Sequence, residues 1–100
     1  MYNYFMIIGR IKEITGISNF AKDNIRIVVE ANSPLVYSPK GKPQFERFEM
    51  AVPKMFSEMI KLGEVVAIKG RIAKFSEKET DIYLQVESMK FPERMMESED

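Results

Sequence analysis

The side chains available for chemistry are few in kind. The 100-residue chain has no histidine and no cysteine. Without imidazole it lacks the usual general base near neutral pH and any Ser–His or Cys–His nucleophile. Without thiols it has no disulfide and no thiolate zinc site. Carboxylates, lysines, tyrosines and hydroxyls remain, so no enzyme is expected and no cofactor or metal is implied. The cluster Glu77, Glu79 and Asp81, interrupted by Lys78 and Thr80, reads as a solvated turn rather than a two-metal centre.

What the chain does have is aromatic rings set among cations. By strand alternation Phe45 and Phe75 point away from the core, beside Arg47 and Arg71 on neighbouring outward positions. Rings stack on any base while cations follow the phosphates, so this pairing suits an unpaired polynucleotide read without regard to sequence. Tyr37, Lys40 and Lys42 fall near the tip of a proline-rich loop that can close over such a strand. Arg10, Arg26, Lys69 and Lys74 are further candidate phosphate contacts, and Phe20 is a further ring in an early loop. Glu30 and Glu49 lie on the same side and oppose an anionic ligand unless neighbouring arginines neutralise them.

Net charge is zero, with 15 basic and 15 acidic side chains. The last ten residues hold Glu93, Glu97, Glu99 and Asp100 against Arg94, which leaves 14 cations and 11 carboxylates in the first 90. Affinity for nucleic acid must therefore come from placement and stacking rather than bulk charge.

Five strands are needed to position these residues. Tyr4–Ile14 alternates, with Phe5, Ile7, Gly9 and Ile11 on one face and Tyr4, Met6, Ile8 and Arg10 on the other; Gly9 is expected to mark a bend or bulge. Both faces are apolar in its first half, so Tyr4, Met6 and Ile8 are expected at an interface between subunits, with a cover from the same chain as the alternative. Ile25–Ala31 sends Ile25, Ile27 and Val29 inward and Arg26, Val28 and Glu30 outward. Residues 32–44, with Pro34, Pro39 and Pro43, are a long hairpin loop. Phe45–Val52 puts Phe48, Met50 and Val52 inward, leaving Ala51 outside with Phe45, Arg47 and Glu49.

A short helix is predicted next. Pro53 suits its first position, Met55, Phe56, Met59, Ile60 and Leu62 form a core-facing stripe, and Gly63 ends it. Glu64–Phe75 directs Val66, Ile68 and Ile72 inward and Lys69, Arg71, Ala73 and Phe75 outward. Ile82–Phe91 closes the set with Ile82, Leu84 and Val86 inside, and Pro92 ends it. Residues 1–92 thus read as one domain, and the acidic 93–100 as a disordered end. The longest apolar run, Tyr4–Ile8, has strand length and no basic leader, so no membrane is expected and a cytoplasmic location is.

The wording of several strands resembles the bacterial single-stranded DNA-binding protein family. Phe5-Met6-Ile7-Ile8-Gly9-Arg10-Ile11 resembles its opening strand, and Phe45-Glu46-Arg47-Phe48-Glu49-Met50 its third. Lys61-Leu62-Gly63 followed by Val66-Ala67-Ile68-Lys69-Gly70-Arg71-Ile72 is similar to its helix–Lys-Gly–fourth-strand block, and Gln85–Phe91 to its closing strand. The likeness runs over roughly residues 3–91. It implies an all-β, five-stranded OB-fold Greek-key barrel with one short helix between strands 3 and 4. It also implies single-stranded DNA as partner in replication, recombination or repair, and a homodimer or homotetramer. Rival readings are a dimeric primosome-type accessory protein that recruits helicase machinery, and an OB module that binds only protein. Tryptophan is absent, and the acidic end lacks the family's apolar tip, so partners recruited through the tail are not expected.

Overall fold

The computed structural model describes residues 3–16, 22–32, 45–74 and 82–97. Five strands form along the chain: β1 Phe5–Thr15, β2 Asn24–Asn32, β3 Phe45–Pro53, β4 Val65–Lys74 and β5 Ile82–Lys90. They close into a barrel in the order β1-β2-β3-β5-β4, with β4 returning to β1. This is the five-stranded OB arrangement expected from the sequence. All pairs are antiparallel except β3–β5, which run parallel over only two residue pairs, Met50↔Leu84 and Ala51↔Gln85. That short seam is what closes the barrel.

Alternation drives the packing. Ile11, Ile27, Val29, Met50, Val52, Val66 and Val86 are fully sealed in the core, and Ile25, Ile60, Ile68 and Phe91 complete it. Barrel closure needs two glycines. A Cβ at Gly9 would meet the Glu30 carbonyl and lie 2.7 Å from Val29 Cγ1; one at Gly70 would meet the Gln85 carbonyl and lie 2.9 Å from the Phe5 ring. Gly9, expected to mark a bend or bulge, is a close-approach residue with no slip in register. The bulges fall elsewhere, at Lys12 in β1 and at Glu87 in β5, where the register slips by one residue.

Five expectations about individual faces are corrected. Val28 and Ala51, read as outward, are buried. Val28 stands opposite Glu49, between the Arg26–Glu49 and Arg47–Glu30 ion pairs that cross the two strands on either side of it. Ala51 is roofed by Gln85, whose Nε2 donates to the Ala51 carbonyl at 3.4 Å and to Asn24 Oδ1 at 2.9 Å. At the far end of β4, Ile72 is 41% exposed and Ala73 buried, the reverse of the prediction. β1 pairs with β4 only as far as Gly70, and beyond it the Asn3 amide takes over as ladder partner of Ile72, accepting from its N–H at 3.0 Å and donating to its carbonyl at 2.8 Å. Ile82, expected inside, is also exposed, opposite Lys74 at the end of the hairpin.

The β3–β4 connection is a single 3-10 turn, Lys54–Phe56, followed by turns, not an α-helix. With no continuous helical face, the predicted stripe breaks up. Ile60 is buried and Phe56 half-buried, but Met55, Met59 and Leu62 are exposed. Gly63 does end the segment, at φ +85°, where a side chain is strained. Its N–H donates to the Ile11 carbonyl at 2.7 Å and Ile11 N–H donates to the Glu64 carbonyl at 3.0 Å, which stitches the turn to β1.

The chain does not fray at Pro92. It continues as the short helix α1, Pro92–Glu97. Proline is favourable at a helix's first position, and Glu93 suits the first turn. Arg94 pins the helix: Nε and Nη2 grip the Glu64 carboxylate, Nη2 also donates to the Met59 carbonyl at 2.6 Å, and the guanidinium lies 4.1 Å from the Phe91 ring centroid. Among the described residues no helix is long and apolar enough to cross a membrane.

Candidate nucleic-acid interface

The outward residues of β2 and β3 form the first wall. Antiparallel register sets Arg47 directly opposite Glu30 and places Arg26 diagonal to Glu49. The side chains follow: Arg47 Nε meets Glu30 at 3.1 Å and Arg26 Nε meets Glu49 at 2.7 Å. The pairs cross between strands rather than forming along one. Arg26 also reaches Thr15 Oγ1 at 3.5 Å. The hydrogen bond that Arg26 donates to the Glu49 carboxylate raises the Arg26 pKa above its usual value. Lys12 Nζ stands 3.9 Å from the second oxygen of Glu30, so that carboxylate faces two cations.

Phe45 opens β3 at the top of this wall and is 59% exposed. Its ring lines an open groove of about 330 Å³ with Ile8, Arg10, Lys12, Glu30, Ala31 and Val65. Arg10 borders the groove but is held at one end by the Gly63 carbonyl, to which Nη1 donates at 2.6 Å. One exposed ring, Arg10, Lys12 and the adjacent Arg47 are thus brought together at the rim of β1, β2 and β3. The arrangement can stack a base and carry phosphates. Among the described residues no cluster of three metal-ligating side chains occurs.

Two more of the predicted cations, Lys69 and Arg71, lie on a different wall, on β4. Lys69 sits beside Met6 of β1 and Ser88 of β5, with Nζ 5.8 Å from the Tyr4 ring centroid. Arg71 stands opposite Gln85 and has no partner among the described residues. Lys74 ends β4, exposed. The expected single face of interleaved rings and cations is therefore split: Phe45 and Arg47 occupy one wall, Lys69 and Arg71 another. Phe75, Tyr37, Lys40, Lys42 and Phe20 lie outside the described residues. Tyr4, Met6 and Ile8 project outward from β1 with 59%, 67% and 66% of their surface exposed, as alternation predicts.

Sequence reasoning missed Lys12 and Lys90. Lys12 is the extra residue of a bulge, and no composition signal marks that bulge. Lys90 shares the parity of Ile82, Leu84 and Val86, so alternation sends it inward; the bulge at Glu87 flips that parity and turns it outward, opposite Ala67.

By sequence the chain stands apart: no family model matches it, and no curated protein does. Its structure does not. It superposes on the mitochondrial single-stranded DNA-binding protein Rim1 of S. cerevisiae with a TM-score of 0.58 at 19% identity, covering 91% of this chain and 95% of that one. A small single-stranded DNA-binding protein from Mycoplasma pneumoniae gives 0.60 at 9% identity, with 93% and 90% covered. PriB of Ralstonia solanacearum gives 0.57 at 8%, with 91% and 99% covered. The chain shares their OB-fold. At such identities the likeness speaks for the barrel and its strand order, while the use of its walls has to be argued from this chain's own residues.

Proposed function

We propose that this protein binds single-stranded DNA without sequence preference, through residues 1–92, in DNA replication, recombination or repair. The observation that carries the reading is the exposed Phe45 ring on a groove lined by Arg10 and Lys12, with Arg47 two residues along β3. A buried ring would serve the core, and an exposed one on a polar wall costs solvation unless something stacks on it. The Arg–Glu pairs are surface pairs worth under about 1 kcal/mol, so a phosphate can displace the carboxylate at little cost. The proteins of like fold named above, each described as binding single-stranded DNA or as PriB, support the same reading.

The exposed Tyr4, Met6 and Ile8 favour self-association over the outer face of β1 as homodimer or homotetramer. Two subunits favour the accessory role, in which the protein recruits helicase machinery, and four favour coating.

The test is an anisotropy titration with labelled oligo-dT at low salt. Wild-type binding is expected, and Phe45→Ala should weaken it by about 1–3 kcal/mol with the thermal midpoint unchanged. Absence of binding by the wild type would leave an OB module that binds only protein. An unaltered affinity in Phe45→Ala would remove the groove from the interface.

A further inference from the structure

The two walls differ in how their charges are used. β2 and β3 carry two cations, Arg26 and Arg47, against three carboxylates, Glu30, Glu46 and Glu49, and both arginines are paired. β4 and β5 carry four cations, Lys69, Arg71, Lys74 and Lys90, against Glu87 alone. None of these four is ion-paired among the described residues.

Two of these cations share a depression. It has a volume of about 410 Å³ and is lined by Met6, Ala67, Ile68, Lys69, Ser88 and Lys90, with no carboxylate among them. Register explains the grouping. Lys69 stands opposite Ser88 and Ala67 opposite Lys90, so the two lysines are diagonal neighbours across β4 and β5, with a hydroxyl beside one and a small residue beside the other. Diagonal cross-strand residues come within about 7–8 Å, close enough for one phosphate, or two consecutive ones, to meet both ammonium groups. Like charges held this near without a counter-anion repel each other. The Tyr4 ring offsets part of that for Lys69 by lying under its ammonium group.

We infer that this depression on the β1–β4–β5 wall is a phosphate-binding site, in which Lys69 and Lys90, with Ser88 of β5 opposite Lys69 and Arg71 farther along β4, hold the backbone of a single strand. The site rests on the proposed DNA binding but lies apart from the Phe45 groove. The two meet at β1, where Ile8 lines the groove and Met6 lines the depression. The strand's path is therefore divided by chemistry: base stacking at Phe45, backbone capture at Lys69 and Lys90. Strands lie about 4.8 Å apart, so Lys90 on β5 sits roughly 10 Å from the β1 ridge, at the rim of any subunit contact built on Tyr4, Met6 and Ile8.

The experiment compares Lys69→Gln/Lys90→Gln with Lys54→Gln/Lys61→Gln, which removes the same charge from the exposed β3–β4 turn. Oligo-dT affinity is measured across a salt series, and inorganic polyphosphate serves as a probe without bases. The first pair should flatten the log–log salt slope by about 1.4, lower dT affinity at least roughly tenfold at low salt, and lose polyphosphate binding to a similar degree. The second pair should leave all three near wild type. Equal effects from both pairs would mean bulk charge only, and no effect from the first would remove the site; either overturns the inference while leaving DNA binding intact. If the wild type binds polyphosphate but not dT, the DNA reading fails and the site stands provided the first pair abolishes that binding. If the wild type binds neither, both fail.

Discussion

The β2–β3 wall and the β4–β5 wall are built from the same strand chemistry and differ in where the carboxylates sit. On the first, Glu30 faces Arg47 across the ladder with Lys12 on its other oxygen, and Glu49 reaches Arg26. On the second, Lys69 stands opposite Ser88, Arg71 opposite Gln85 and Lys90 opposite Ala67, and the one carboxylate of these two strands, Glu87, forms no ion pair among the described residues. The lesson is that a count of cations does not identify an anion site. Arg26 and Arg47 already have their counter-charges, while Lys69 and Lys90 have none among the described residues.

The largest effect should come from breaking the geometry that holds the second wall. Gly70 lies where a Cβ would run into the Gln85 carbonyl, next to the slip in register that follows Lys69. Backbone cannot yield as a side-chain tip can, so Gly70→Ala should cost about 3 kcal/mol or more, at the upper end of overpacking. Urea unfolding reads this directly. A loss below 1 kcal/mol would mean that β4 and β5 are less closely pressed than drawn. Gly9→Ala, against the Glu30 carbonyl and Val29, should behave similarly for β1 and β2.

A smaller change turns one wall into the other. Glu30→Gln removes the carboxylate that faces both Arg47 and Lys12. Two cations then lack a counter-charge beside the Phe45 groove. Oligo-dT affinity should rise by roughly three- to tenfold at low salt, with a salt slope steeper by up to about 1.4. Stability should fall by less than about 1 kcal/mol, because these pairs are largely solvated. Glu49→Gln, which frees only Arg26, should give about half the change in slope. Equal slopes for wild type and Glu30→Gln would show that the β2–β3 cations never reach phosphate, leaving backbone capture to the β4–β5 wall alone.

The barrel was readable because the inward apolar positions of β1, β2 and β3 alternate despite the bulge at Lys12 and the sealed Val28 and Ala51, and because the Gly9 and Gly70 contexts carry recognisable strand wording. Residues Ile11, Ile25, Ile27, Val29, Met50, Val52, Val66, Ile68 and Val86 all fall inside as the period of two requires. The site was readable only in part. Alternation finds which side of a strand Arg47 or Lys69 takes, but it cannot say which cations acquire a carboxylate neighbour, since that depends on register between strands far apart in sequence. Bulges at Lys12 and Glu87 shift that register by one and leave no mark in composition. The β3–β4 segment misled for a different reason. Met55, Met59 and Leu62 have helical spacing, but the connection from Pro53 to Gly63 is stitched to β1 through Ile11, and that tether favours tight turns over a continuous helix.

The smallest effect concerns the seam between the walls. β3 and β5 pair over two residues only, and Gln85 adds a strap by reaching over Ala51 to Asn24 on β2. The strap needs a small residue beneath it, which is why an alanine stands at an outward position and is nonetheless sealed. Gln85→Ala removes the strap but leaves Asn24 able to hydrogen-bond water, so the global cost should lie near the low end for a hydrogen bond, about 0.5 kcal/mol. The local consequence should be larger than the global one. A parallel seam of two pairs is the easiest place for the barrel to open, and local opening is what amide exchange detects. Exchange of the β3–β5 seam amides should therefore accelerate severalfold in Gln85→Ala, while the β1–β2 amides keep their wild-type rates. Uniform acceleration across all strands would mean that the barrel opens as a whole and that the seam is no weaker than its other junctions.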